Sequence, residues 1–187
     1  MPSIQYSNGV VDEIITESGI VAQFLADMRP SHLLPPSLST PESPLVRARI
    51  SFFVDAWFSK CSSFTYPMYL KNTLEEKEEE SKKMLAAIEK EIEPLLKNAN
   101  PFFGGSSQMT MAEVLVAPFI IRLYASCDDE LLPKSLAASL DKLPNFSKWA
   151  KNTISQESVT YVFDEAKIIK GTKERIAKMK KEKEQAK

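Results

Sequence analysis

A chain of 187 residues with 43% apolar content is long enough for one substantial core, burying roughly 70% of the surface of its unfolded form. Lys and Arg (24) nearly balance Asp and Glu (25), so no overall field draws the molecule to nucleic acid or to an anionic membrane. There is no apolar run of spanning length, no charged-then-apolar leader, no metal-ligand spacing and no CxxC. Cys61 and Cys127 are expected as free structural thiols, and the cytoplasm as the location.

Ser3 to Ser7 reads as a strand, Asn8-Gly9 as a primed hairpin turn and Val10 to Ile15 as the partner strand. A lone two-stranded ribbon is marginal in water, so it must pack on a helix or pair with another chain. From Ser18, the residues Ile20, Val21, Phe24, Leu25 and Met28 recur at helical spacing, and Arg29-Pro30 ends that helix. Pro30, Pro35, Pro36, Pro41 and Pro44 lie among Ser and Thr; they exclude a helix or central strand over 30–44 and predict a linker.

Thr40 or Ser43 is expected to cap the next helix, with proline in its first turn and Val46, Ile50, Phe53, Val54, Trp57 and Phe58 on its buried face. It should break near Ser62 and Ser63, with Tyr66-Pro67 restarting the chain. The segment from Tyr69 to Asn98 carries Met84, Ile88, Ile92, Leu95 and Leu96 as one apolar stripe. Its charged run from Glu75 to Lys83 reads as a solvated face.

Asn100-Pro101 and Gly104-Gly105 mark a loop before the sharpest helix start in the chain. Thr110 can accept from the Glu113 amide while the Glu113 carboxylate reaches back to the Thr110 amide, a capping box, with Met109 able to staple onto Val114. Val114, Leu115, Phe119, Ile120, Leu123 and Tyr124 fall on several faces, which predicts a central helix of a bundle, kinked at Pro118. Further helices are expected over Leu131 to Leu140, from Pro144 with Phe146 and Trp149, and from Val159. The Lys/Glu-rich stretch after Gly171 reads as a solvated helix or a fraying end.

Two groups of residues carry a family resemblance. Pro2, then Glu17-Ser18 and Ile20-Val21-Ala22-Gln23-Phe24-Leu25, resembles the ES-x-x-I-x-x-Y-L pattern of the glutathione transferases. Gly104-Gly105, Thr110, Ala112 and Glu113, leading to Ala117-Pro118-Phe119, is similar to the G-x-x-x-T-x-A-D motif of that family's central helix. The flavour is cytosolic, omega-like and fungal. The resemblance implies a mainly α fold, with a remnant β-hairpin and helix of a thioredoxin-like domain over 1–29 and a linker over 30–44. A glutathione transferase C-terminal-like helical bundle over 45–170 and a charged tail over 171–187 complete it.

In function, the resemblance implies joining glutathione to electrophiles or glutathione-dependent thiol transfer. Glutathione is the co-substrate, no cofactor is tightly bound, and the second partner is a small hydrophobic electrophile or a mixed disulfide. A homodimer is expected, with neither nucleic acid nor membrane as partner. By the same resemblance Ser18 holds the γ-glutamyl carboxylate, Glu17 its ammonium group, and the Met1 backbone the cysteinyl unit, ahead of Pro2 in a cis bond. These roles are physically reasonable: a helix start offers unpaired amides, and a cis X-Pro bond costs only about 0.5 to 1 kcal/mol.

In that family the catalytic Cys, Ser or Tyr lies upstream of the proline, where this sequence has only Met1. The chain as given is expected to be inactive or weakly active, with no catalytic residue, and to expose a sheet edge. It would be an enzyme started at an internal methionine, a naturally short member, or a non-enzymatic dimerisation platform. Cys61, near a helix C-terminus, and Cys127, beside Asp128 and Asp129, sit where a thiolate is disfavoured. His32 lies in the proline-rich segment. Of the aromatic group Phe52, Phe53, Trp57, Phe58, Tyr66 and Tyr124, most should be core. Trp57, Arg122 and Tyr124 are the expected electrophile-site residues.

Overall fold

The computed structural model describes residues 2–185. Strands β1 (Ser3–Ser7) and β2 (Asp12–Thr16) pair antiparallel, Ser3 opposite Thr16 and Ser7 opposite Asp12. The turn takes four residues rather than two. Asn8 Oδ1 accepts from the N–H groups of Val10 and Val11 at 3.0 and 2.9 Å, and Gly9 supplies the positive φ of 84°. The asparagine side chain thus stands in for a backbone turn. Val10, expected in the second strand, is left in the turn and 91% exposed. Helix α1 (Ser18–Met28) packs on both strands, with Tyr6 edge-on to Phe24 at 5.2 Å.

The proline-rich segment has no regular helix up to Glu42, while the next helix takes its last two residues, Ser43 and Pro44; the segment is fastened at several points. Leu34 is buried, the Leu33 carbonyl accepts the Met111 N–H at 2.7 Å, and Ser31 bridges Leu34. Arg47 grips Asp27 with two hydrogen bonds of 2.9 and 3.2 Å and also donates to the Pro35 carbonyl at 3.1 Å. Ala26 and Leu34 consequently belong to the same apolar cluster as Phe53 and Trp149.

Helix α2 (Ser43–Ala56) begins after Glu42, with Pro44 in its first turn. Neither Thr40 nor Ser43 caps it. The Ser43 hydroxyl is buried and points backwards, accepting from the Thr40 N–H at 3.1 Å and meeting the Ser39 and Thr40 hydroxyls at 2.8 and 3.0 Å. Of the expected buried face, Ile50, Phe53 and Trp57 are buried, while Val46 and Phe58 each keep 37% exposure; Ala56 is buried besides. The chain continues through a π-helical turn at Trp57–Cys61 and a 3₁₀ turn at Ser62–Phe64 into α3 (Thr65–Tyr69).

Helix α4 (Leu74–Ala87) has its own capping box, Thr73 with Glu76, which the sequence reading missed. It runs on through Ile88–Ile92 and Glu93–Leu96, and the stripe of Met84, Ile88, Ile92 and Leu96 is fully buried. The charged run is not wholly solvated. Lys77 is 7% exposed because its ammonium reaches the Glu130 carbonyl, and burial pushes its pKa below the usual lysine value.

Helix α5 (Met111–Ala125) runs unbroken with Pro118 inside it and contacts α1, α2, α7 and α9. Helices α6 (Lys134–Leu140), α7 (Pro144–Ile154) and α8 (Glu157–Thr160) follow. The last helix, α9 (Glu165–Gln185), starts after Val159, which belongs to α8, and crosses Gly171 without a break. The stretch read as a charged tail makes up most of this helix, from Gly171 on. Ile176 is buried, Lys173 pairs with Asp128 at 2.8 Å and with Glu130, and Lys180 donates to the Lys71 carbonyl at 2.8 Å. Among the described residues no helix is long and apolar enough to cross a membrane.

The expected box at Thr110 and Glu113 is present and does more than cap. Glu113 has no exposure to water. Its Oε2 accepts from the Thr110 N–H at 2.7 Å and the Thr110 hydroxyl at 2.8 Å, while Oε1 accepts from the Phe103 N–H at 2.8 Å and Trp149 Nε1 at 2.6 Å. Glu113→Ala would strand these donors in the core and is expected to lower the unfolding free energy by about 3 to 5 kcal/mol, read by denaturant titration. Glu113→Gln should recover only part of that, because its NH₂ must face groups that themselves donate.

Candidate functional site

The hairpin register brings the predicted glutathione-binding residues together. Beyond the Ser3 and Thr16 pair, Pro2 and Glu17 stand at the same open end, and Ser18 is the first residue of α1. Met1, and with it the Met1–Pro2 bond, lies outside the described residues. The first helical hydrogen bond of α1 runs from Val21 to the Glu17 carbonyl at 2.8 Å, and no side chain caps the helix start. The amides ahead of it are available to an anion.

Glu17 itself adopts φ 71° and ψ 124°, a region costly for a residue with a Cβ. Such strain costs about 1 to 3 kcal/mol and persists where surroundings enforce it, often at ligand sites. The sequence held no sign of this, since glycine is the residue that would announce a positive φ.

Next to this corner runs a groove of about 320 Å³ between α1, α2 and α5, lined by Gly19 and Gln23 at one end and Val54, Phe58 and Leu115 towards the other. Phe58 meets Phe119 edge-on at 4.9 Å. Phe119 in turn lines a larger cavity of about 470 Å³ between the α2 end, α3, α5 and α9. Trp57 and Arg122, two of the three predicted electrophile-site residues, line this cavity; Tyr124 does not. The Tyr124 hydroxyl instead donates to Asp141 at 3.2 Å, and burial together with that carboxylate pushes its pKa above the ordinary phenol value.

Tyr66, Tyr69 and Arg175 are on the cavity wall too. Tyr69 hydrogen-bonds Ser126 at 2.9 Å, and burial raises its pKa. Arg175 lies 5.4 Å from the Tyr66 ring. Phe119 and Arg175 were missed in sequence; Arg175 sits in the stretch read as tail, and only the run of α9 past α5 brings it here.

Neither thiol is poised as a nucleophile. Burial pushes Cys61 up to about 12, with Glu91 adding to the effect. Cys127 rises to about 11 through burial and the charges of Asp128 and Asp129, partly opposed by a backbone hydrogen bond from Ala137. His32 is exposed on a turn. Among the described residues no cluster of His, Cys, Asp and Glu could hold a metal.

Two outcomes are expected. Glu17→Gly should raise thermal stability by about 1 kcal/mol by removing the strained Cβ; an unchanged or lower melting point would show that the backbone there is unstrained. Cys61 and Cys127 should be alkylated by iodoacetamide at neutral pH far more slowly than an exposed thiol, and both should react on unfolding.

No family model matches the chain, and no curated protein matches it. Solved structures do. Glutathione transferase Omega 1C from Trametes versicolor is 24% identical with a TM-score of 0.74, over 95% of this chain and 75% of that one. Omega 2C from the same organism is 25% identical with a TM-score of 0.70, over 95% and 77%. Rice GST1, solved in complex with glutathione, is 20% identical with a TM-score of 0.65, over 88% and 71%. The chain therefore has the glutathione transferase fold, in which its hairpin and α1 correspond to part of the thioredoxin-like unit and its remaining helices to the bundle.

Proposed function

We propose that this chain is a glutathione transferase family protein of the cytoplasm that joins glutathione to small hydrophobic electrophiles or exchanges it with mixed disulfides. The observation that carries the reading is the corner where Pro2, the strained Glu17 and the uncapped start of α1 meet. There the Ser18 N–H and hydroxyl would hold the γ-glutamyl carboxylate, Glu17 the ammonium group, and the Met1 backbone the cysteinyl unit. The cavity lined by Trp57 and Arg122 would take the second substrate.

In conjugation the glutathione thiol loses its proton, its sulfur bonds to the electrophilic carbon, and the leaving group departs with the electrons of the broken bond. In thiol transfer the same sulfur attacks a mixed disulfide and releases the other thiol. Neither Cys61 nor Cys127 is assigned the role of activating that thiol, since burial raises the pKa of both.

A second reading, a non-enzymatic dimerisation platform on the same fold, draws on one observation. Ile20, Met28, Leu45 and Phe52 on α1 and α2 are 46% to 62% exposed, an apolar surface suited to a second copy. Calorimetric titration with reduced glutathione separates the readings. Saturable binding, abolished by Glu17→Ala/Ser18→Ala, is the expected result. Absence of heat at millimolar glutathione would leave the platform as the better account.

A further inference from the structure

From Pro36 to Glu42 the proline-rich connection is exposed at every residue and has no regular structure, with Leu38 96% exposed. Of the 12 prolines in the chain, only Pro41 and Pro44 follow a Ser or Thr. The Thr40-Pro41 and Ser43-Pro44 pairs therefore offer two hydroxyls to an enzyme that reads a following proline. Such an enzyme must draw its target residue into its own cleft as an extended strand, so the target has to be reachable and free of helix. Sequence alone does not choose between the two pairs.

The structure does. Ser43 is 2% exposed and is the first residue of α2, whereas Thr40 lies in the exposed stretch. Their hydroxyls form one chain of hydrogen bonds with Ser39. Ser39 donates to the Pro36 carbonyl at 2.9 Å, which leaves Ser43 as the donor to Ser39 at 2.8 Å. Ser43 in turn accepts from the Thr40 N–H at 3.1 Å and from the Thr40 hydroxyl at 3.0 Å. The Thr40 hydroxyl is thus the spare member. Without its proton, the buried Ser43 oxygen still has one donor and one acceptor, so nothing in the core is left unpaired.

The surroundings also suit an anion. Helix α2 has no acidic residue in its first turn and no side-chain cap, so the positive end of its dipole is unopposed there. A phosphate brings about −1.5 to −2 charge and strong acceptor oxygens. Attached to Thr40 it stands beside this helix start, with Glu42 as the one carboxylate between them in the chain.

We propose that Thr40 is a phosphorylation site for a proline-directed kinase. The Thr40 hydroxyl oxygen bonds to the γ-phosphorus of ATP, the bond to the bridging oxygen breaks and leaves ADP, and the hydroxyl proton passes to the kinase's base. Ser43, although it also precedes a proline, is protected by burial. The site stands apart from the glutathione reading and needs no ligand.

The test incubates the folded chain with a mitogen-activated protein kinase, ATP and Mg²⁺, alongside Thr40→Ala, Pro41→Ala and a quenched tryptic digest in which both hydroxyls are free. Mass spectrometry locates the phosphate, and circular dichroism checks that each variant keeps its helices. The folded chain is expected to take a single phosphate, on Thr40, and the digest to take phosphate on Thr40 and Ser43. Thr40→Ala and Pro41→Ala should each abolish incorporation into the folded chain, the second although it keeps the hydroxyl. The modified chain should melt at or above the temperature of the unmodified one, because the anion faces a helix start. Phosphate on Ser43 of the folded chain, or none on Thr40, would overturn the assignment; a markedly lower melting point would overturn the placing of the phosphate beside α2.

Discussion

A carboxylate cut off from water organises this molecule. Glu113 collects the Thr110 amide and hydroxyl, the Phe103 amide and the Trp149 indole, so one side chain joins the start of α5, the loop before it and the middle of α7. A buried charge is tolerated only when its lone pairs are engaged, and here both oxygens are doubly used. The Leu33 carbonyl meets the first amide of α5 at the same helix start, bringing in the proline-rich connection. Elements far apart in sequence are thus registered against the N-terminus of one central helix.

From that registration the two parts of the candidate site acquire their relation. Arg47, clasping Asp27 and Pro35, ties α1 to α2, so the Glu17 and Ser18 corner cannot drift from the helices that wall the groove beside it. Phe58 and Phe119, edge to face, stand where the groove and the larger cavity approach each other. The groove beside the Glu17 and Ser18 corner and the aromatic cavity therefore meet at this pair of rings. Tyr124, on the far side of α5, is excluded by its bond to Asp141.

What could be read from the sequence was what the chain decides locally. The helix start at Thr110 and Glu113 was legible because box residues three apart recognise each other's backbone, and the α4 stripe because one face recurs every turn. Non-local partners escaped the reading. Ser43 looked like a cap until Ser39 and Thr40 claimed its hydroxyl, and Lys77 looked solvated until the Glu130 carbonyl, distant in sequence, received it. The Asn8-Gly9 pair did announce a turn, but the asparagine side chain extended it by bonding two amides. Glu17 is the sharpest case: its residue type argues against a positive φ, and only the junction of strand and helix imposes one. Pro2 and Ser18 were readable as a pair through resemblance, whereas Arg175 belonged to a segment whose composition suggested no packing at all.

The anchoring of α9 differs in kind from that of the other long helices. Ile176 is its one fully buried apolar side chain, with Ile169 and Met179 partly covered, and its remaining ties are ammonium groups reaching Asp128, Glu130 and the Lys71 carbonyl. Cooperative opening costs least where few apolar contacts are lost and the polar groups released return to water. Helix α9 is therefore expected to exchange its backbone amides with solvent ahead of α5 and α7. Because α9 lines the cavity from Lys167 to Ile176, such an opening would uncover that wall while the bonds to Glu113, made by other elements, stay closed.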